Sequence, residues 1–166
     1  MYGTGKTSVC EEIAHLLGAA GQPYGAIDLD WLGWYATTAH DTHDDEWLDP
    51  VALSNLSTMV RNYLTAGVER FVLAGSVWSV AELDAIRGVL PFTLRVVQLT
   101  LPFAEIERRL AAAVTAGRAD DLQEAARQSG ALDSQRDGAV VPELLVTNDV
   151  PVREVADEIV EWLGWR

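Results

Sequence analysis

The chain alternates between two hydrophobic rhythms. Val9, Ile13, Leu16 and Leu17 recur at helical spacing while Glu11 and Glu12 lie elsewhere, which predicts a helix over residues 5–20, closed by Gly18, Gly21 and Pro23. Tyr24-Gly25-Ala26-Ile27-Asp28-Leu29-Asp30 then reads as a short buried strand that finishes in acid. Asp49-Pro50 opens a second helix that runs to about Ala66, with Leu53, Leu56, Val60 and Leu64 on its apolar face and Gly67 as its cap. Phe71 to Ser76 is a continuous apolar run, as expected of a strand covered on both faces. A helix over 79–89 turns Leu83 and Ile86 inward, and Leu94 to Leu101 is the next strand. Residues 102–116 form a helix with Ile106, Leu110 and Val114 inward, Glu143 to Asn148 form the last strand, and a helix over 152–163 directs Val155, Ile159 and Leu163 to the core. Trp162 and Trp165 pack the end of that helix. Helices and apolar strands alternate through loops of a few residues. That order predicts an α/β fold, a parallel sheet with helices on both faces, in a single domain over 1–166.

Composition narrows the partners. The 166 residues are 49% hydrophobic and 22% charged, which is ordinary for a globular chain of one domain. Twenty-five acidic residues against 12 basic ones leave a net charge of −13, which disfavours nucleic acid and anionic membranes as general partners. A nucleotide remains compatible, because a few local donors can hold a phosphate against an acidic background. The lone cysteine, Cys10, excludes an intrachain disulfide and fits a reducing cytoplasm; its place in the first helix reads as a core thiol. No run of eighteen apolar residues and no charged-then-apolar leader stands in the chain, so neither a membrane span nor a signal peptide is expected.

The chemistry is concentrated in Met1-Tyr2-Gly3-Thr4-Gly5-Lys6-Thr7-Ser8, of which Met1 to Thr7 read as the last seven of the eight positions of a phosphate-binding loop, G-x-x-x-x-G-K-[ST], running into an amphipathic helix. Small residues at Gly3 and Gly5 let the backbone curl so that several N–H groups face one anion. Lys6 supplies charge for β- and γ-phosphates, and the hydroxyl of Thr7 can ligate Mg²⁺. The competing reading of Gly3 to Ser8 is a glycine-rich end capping an ordinary helix. The first glycine of the motif would fall one residue before Met1, and the strand that should feed the loop is not in the sequence; the expectation is that the true start lies upstream and Met1 is an internal methionine.

Further candidates follow from topology. Ligands of an open parallel sheet sit beyond the carboxyl ends of its strands, so Asp28 and Asp30 should lie beside the phosphate loop. Carboxylates there can orient Mg²⁺ or take a proton from an attacking hydroxyl; solvated aspartates at a strand end are the alternative. Trp31, Trp34 and Tyr35 with His40-Asp41-Thr42-His43-Asp44-Asp45-Glu46-Trp47 fit either a substrate-facing loop with aromatic walls or core packing of the tryptophans, and their spacing matches no zinc signature. Arg109 and Arg118 are placed to close over transferring phosphates, or to pair with neighbouring acids as Glu105 would with Arg108 or Arg109. Residues 117–138 read as a lid or a second short helix. Ala74-Gly75 ends a strand where an Mg²⁺-orienting acid would stand in many phosphate-loop proteins, which moves that role towards Asp28 and Asp30.

Taken together, Tyr2 to Ser8, Ala26 to Gly33, the Phe71 to Ser76 strand and the Leu99 to Arg118 strand–helix resemble the small P-loop kinases, the fold shared by shikimate, gluconate, adenylylsulfate and nucleoside-monophosphate kinases, and most of all bacterial proteins related to adenylylsulfate kinase. The resemblance spans nearly the whole chain, and only its phosphate loop is specific. It implies ATP with Mg²⁺ as phosphate donor and a small hydroxyl-, phosphate- or sulfate-bearing acceptor. It implies that Lys6 and Thr7 serve the nucleotide; Gly3, Thr4, Gly5 and Ser8 complete the expected nucleotide site, and Thr7 with Asp28, or with Asp30 directly or through water, is expected to hold the metal. Asp28 or Asp30 would bind acceptor or act as base, Arg109 or Arg118 would be lid arginines, and the loop at Asn148 would border the adenine. The alternatives are a nucleotide-binding regulatory ATPase and a non-catalytic fragment.

Overall fold

Residues 3–33, 50–112 and 140–166 are described by the computed structural model. Helix α1 (Lys6–Ala19) buries Val9, Cys10, Ile13, Ala14 and Leu17, the stripe that its periodicity predicts. Its last carbonyls are taken up by the turn that follows, where Gly21 N donates to Gly18 O at 3.0 Å and Gln22 N to Leu17 O at 2.9 Å. Strand β1 (Tyr24–Asp28) is followed by a 3₁₀ turn, Leu29–Trp31, because the Asp28 carboxylate accepts the backbone N–H of Asp30 and ends the strand two residues earlier than the apolar run suggests. Then come α2 (Pro50–Thr65), β2 (Arg70–Ala74) and α3 (Val80–Val89), the last begun by a reciprocal capping box between Ser79 and Glu82. Strand β3 (Val97–Thr100), α4 (Phe103–Ala112), β4 (Leu144–Thr147) and α5 (Val152–Trp162) complete the order. Residues 113–139 and 34–49, which carry the expected end of α4, the lid segment with Arg118 and the aromatic loop, lie outside the described residues.

The predicted alternation of helices and parallel strands is present, with one departure. The described strands form two two-stranded sheets, not one. β1 pairs with β2 in parallel, Tyr24 opposite Arg70 through Asp28 opposite Ala74. β3 pairs with β4 in parallel, Val97 opposite Leu144 through Thr100 opposite Thr147. A cavity of about 1020 Å³ is lined by β2 and β3, the inner strand of each pair. Both half-sheets share one core, because Val72 of β2 and Val97 and Leu99 of β3 pack on the same cluster of Val9, Ile13 and Leu17 from α1 and Val155, Ile159 and Val160 from α5. The opposite face of β1 and β2 sends Ile27, Phe71 and Leu73 against Leu56 and Val60 of α2 and Ile86 of α3. Successive β2 residues thus serve opposite layers, as the two-residue period of a strand requires.

Three local differences are visible. β3 begins at Val97 because the Glu143 carboxylate takes the Val96 N–H at 3.2 Å and Arg95 Nε at 3.0 Å, while the Arg95 guanidinium also stacks over Trp162. On α2 the buried set is Ala52, Leu56 and Val60, and Leu64 of the expected apolar face is 40% exposed. Trp31 does not pack in the core; it stands 67% exposed on the 3₁₀ turn beside Asp30. No described helix is long and apolar enough to cross a membrane.

Leu17 is 1% exposed at the centre of the shared core. Leu17→Ala is expected to cost about 2–5 kcal/mol, read as a lower urea midpoint with an unchanged slope; an unmoved midpoint would take α1 out of the core.

Candidate functional site

The loop before α1 is shaped by backbone. Gly3 and Gly5 both sit in the left-handed region, φ 76° and 83°. Gly5 is doubly constrained, because a Cβ there would also lie 2.5 Å from Asn148 Nδ2. The first turn of α1 has no side-chain cap and no acidic residue, so the helix presents its positive end and its opening N–H groups to whatever lies at the loop. Thr4, 2% exposed, fixes the middle of the loop by offering its carbonyl to Asn148 Nδ2 at 2.6 Å.

Across from the loop stands the acid pair. Thr7 Oγ1 donates to Asp28 Oδ2 at 2.8 Å, and Asp30 N donates to Asp28 Oδ1 at 3.0 Å. Topology alone places Asp28 and Asp30 at the carboxyl end of β1, and the structure brings both to the loop. Burial lowers the Lys6 pKa below its ordinary value, opposed by the negative charges of Asp30 and then Asp28. Loss of solvent and the charge of Asp28 raise the Asp30 carboxyl, while Lys6 pulls it back. Lys6, Asp28 and Asp30 therefore form one electrostatic unit, with a hydroxyl, Thr7, bonded into it. Its hard-oxygen donors suit Mg²⁺, which uses one or two protein oxygens and completes its shell with phosphate and water. Among the described residues no group of three His, Cys, Asp or Glu side chains could hold a metal unaided.

The opposite flank is tied by an arginine. Arg109 donates from Nε to Glu105 Oε1 at 3.0 Å and from Nη2 to the Asn148 carbonyl at 2.6 Å. Arg108 clamps the same carboxylate, at 2.7 Å from Nε and 2.5 Å from Nη2, which is the helix pairing expected for it. These guanidinium bonds, Arg108 first and Arg109 second, bring the Glu105 pKa down to about 2. Glu105, Arg109, Asn148 and Thr4 thus make a continuous line from α4 to the glycine loop before α1. Asn148 is 3% exposed and closes against Gly5. It enters the site as the residue that pins the loop, a role that no local signal reveals.

Other positions fall outside this constellation. Ser8 is exposed on the first turn of α1. At the end of β2, Ala74 is 6% exposed and a Cβ on Gly75 would come 2.9 Å from Leu29, so the strand end has no room for the acid that many phosphate loops place there. Cys10 is a buried core thiol, raised to about 11 by burial and by the charges of Asp28 and Glu11. Asn55, exposed on α2, donates to Leu32 O at 2.8 Å and anchors the end of the 3₁₀ turn that carries Asp30.

Comparison with solved structures gives the architecture a name. A sugar kinase from Janibacter sp. HTCC2649, solved without ligand, superposes with a TM-score of 0.64 at 16% identity over 98% of this chain and 89% of that one. A gluconokinase from Sinorhizobium meliloti 1021 gives 0.58 at 22% identity over 98% and 86%. The Mycobacterium tuberculosis APS kinase, solved with AMPPNP and APS, gives 0.57 at 20% over 99% and 93%. The fold is the one these kinases share. No family model matches the chain, and no curated protein matches it.

Glu105 carries a pH signature. Its folded pKa of about 2 lies below the ordinary 4.5, so the stabilisation from its arginine bonds is fully present above about pH 4.5 and lost as pH falls towards about 2. Wild type is expected to exceed Glu105→Gln in urea midpoint at neutral pH, with the gap closing through that window. A gap that stayed constant down the titration would detach the effect from the carboxylate.

Proposed function

We propose that this chain is an ATP-dependent phosphotransferase acting on a small hydroxyl-bearing acceptor. The observation that carries the reading is the Thr7–Asp28 hydrogen bond of 2.8 Å, made across a left-handed glycine loop within electrostatic reach of Lys6. A hydroxyl, a carboxylate and an ammonium meeting at a helix N-terminus suit a polyphosphate and little else. The kinase folds it resembles, one of them solved with AMPPNP, support nucleotide as the donor.

In this reading the backbone of Gly3 to Ser8 and Lys6 hold the β- and γ-phosphates. Thr7 and Asp28 would hold Mg²⁺, which supplies charge neutralisation for the phosphates when bound. Asp30 is the proton acceptor of the pair, since a raised carboxyl pKa makes a stronger base. The acceptor oxygen bonds to the γ-phosphorus, the bond from that phosphorus to the bridging oxygen of ADP breaks, and the hydroxyl proton passes to Asp30. Asn148 and Arg109 keep the loop in register beside the nucleotide. An arginine over the transferring group would be Arg109 or Arg118.

A second reading, a nucleotide-driven regulatory ATPase, draws on the Ala74-Gly75 strand end, which has no acid and no space for one. ATP consumption without added acceptor would favour it.

The test is thermal unfolding of the 166-residue chain with and without MgATP, followed by turnover with sugars and sugar acids. Nucleotide at a hundredfold over its Kd should stabilise by about 2.7 kcal/mol, a shift of about 5–10 °C, and Lys6→Ala should abolish that shift while the protein still melts cooperatively. Equal shifts in both proteins would end the assignment of the loop. Asp30→Asn should keep the MgATP shift and lower kcat by about 10²–10⁴-fold; unaltered kcat would remove Asp30 as base.

A further inference from the structure

We infer that Glu105 is a positioning residue for nucleotide, setting the affinity of the glycine loop through Arg109 and Asn148 without touching the ligand. The inference rests on the reading of that loop as a nucleotide site, and it adds a residue that belongs neither to the loop nor to the acids beyond β1. Its path is a run of hydrogen bonds. Glu105 Oε1 accepts Arg109 Nε at 3.0 Å, Arg109 Nη2 donates to the Asn148 carbonyl at 2.6 Å, and Asn148 Nδ2 donates to the Thr4 carbonyl at 2.6 Å.

Each joint is stiff for its own reason. Glu105 stands in the first turn of α4, its N–H bonded to Pro102 O at 2.9 Å, next to the fully buried Ile106. Arg108 Nε holds the other carboxylate oxygen at 2.7 Å, so the carboxylate cannot rotate away from Arg109 without breaking a second ion pair. Arg109 uses two nitrogens of one rigid plane, which fixes the orientation of the guanidinium as well as its position. Its third nitrogen, Nη1, lies 3.8 Å from where a Gly5 Cβ would stand, so the guanidinium is seated beside the loop. Asn148 is held at its N–H by Thr100 O at 2.9 Å, at its carbonyl by Arg109 and at its side chain by Thr4. Its Nδ2 is 2.5 Å from the place of a Gly5 Cβ, so it packs on the loop backbone and a shift of Asn148 passes to the loop.

Burial makes the inner links the sensitive ones. Glu105 and Arg109 are partly exposed, whereas Asn148 and Thr4 are buried. Water can replace the outer bond in part, but an amide or carbonyl left unpaired inside carries its full desolvation cost. The acid pair is held by different bonds, Thr7 to Asp28, Asp30 N to Asp28 and Asn55 to Leu32. The line from Glu105 shares no residue with them, so its loss falls on nucleotide affinity and spares the proton acceptor. The sign also separates this role from plain charge. Removing an acid near a phosphate site lessens repulsion and tightens binding. Removing Glu105 frees Arg109 and loosens Thr4, which weakens it.

The experiment is calorimetric titration with MgATP of the parent, Glu105→Ala, Glu105→Gln and Glu107→Ala, the last an exposed acid of the same helix. Glu105→Ala is expected to raise Kd about fivefold, the effect of about one hydrogen bond, and Glu105→Gln, which keeps an acceptor oxygen, to recover part of the loss. Glu107→Ala should stay within about twofold of the parent. Equal Kd in the parent and Glu105→Ala, or an equal rise in Glu107→Ala, would overturn the proposal. In an Arg109→Ala background Glu105→Ala should add no further loss; additive losses would show that Glu105 does not act through Arg109. A nucleotide-free readout separates the brace from the ligand. The Asn148 side-chain amide protons should exchange at least about fivefold faster in Glu105→Ala than in the parent. Unchanged exchange in a parent that binds MgATP would end the brace alone. A parent that does not bind MgATP would end the nucleotide reading, and the affinity role with it.

Discussion

The constraint on which the structure turns is the anchoring of one short loop from two sides. Thr7 is held by Asp28 at 2.8 Å from the β1–β2 pair, and Thr4 is held by Asn148 at 2.6 Å from the β3–β4 pair. Between those anchors lie Gly5 in a left-handed conformation and Lys6 at the start of α1. Two half-sheets that share no backbone ladder among the described residues are thereby referred to the same few atoms. A loop fixed at both ends would lose little further freedom on taking up an anion, which is the physical meaning of preorganisation. The Glu105–Arg109–Asn148 line extends this anchoring outward to α4, so the orientation of a remote helix bears on the loop.

Helix α1 carries the same logic into the core. One face of it meets side chains from both half-sheets and from α5. Its N-terminus bears the loop, so the apolar contacts of Val9, Ile13 and Leu17 set where the helix dipole points. Electrostatics is then local. A chain of net charge −13 repels anions in general, yet the loop offers backbone donors, a helix end and Lys6 within a few residues. Asp28 and Asp30 favour the charged form of that lysine while burial disfavours it, with burial the larger effect. The site's cation is thus held near its own acids, and a polyphosphate would meet a lysine with two carboxylates beside it.

Much of this was legible in the sequence where the relevant physics is local. Helix periodicity located α1, α3 and α5, and apolar runs located every described strand to within a few residues. The meeting of Thr7 with Asp28, 21 residues apart, followed from the rule that strand ends face the ligand. What was not legible depends on contacts with no local trace. Asn148 reaches Thr4 across 144 residues, and nothing around Asn148 marks it as a loop anchor. Asn55, exposed on α2, holds Leu32 across 23 residues, a contact with no trace in the residues around it. Trp31 is exposed because the Asp28 cap turns the chain into a 3₁₀ helix, and no apolar count anticipates a cap that ends a strand early. No single strand's pattern shows the split of the sheet, since it describes that strand's two faces and says nothing of its edges.

The end of β2 shows how one local choice forecloses another. Asp28 caps the turn Leu29–Trp31, and that cap turns Leu29 inward, where it is 5% exposed. The buried Leu29 then lies within 2.9 Å of where a side chain at residue 75 would begin. A Cβ at that distance is a collision with the base of a packed side chain, which cannot swing away without undoing the turn. The turn that brings Asp28 and Asp30 to the loop is therefore the same one that requires glycine at the neighbouring strand end. A side chain at residue 75 and the buried Leu29 would compete for one volume, and the turn that carries Asp28 and Asp30 keeps Leu29 in it.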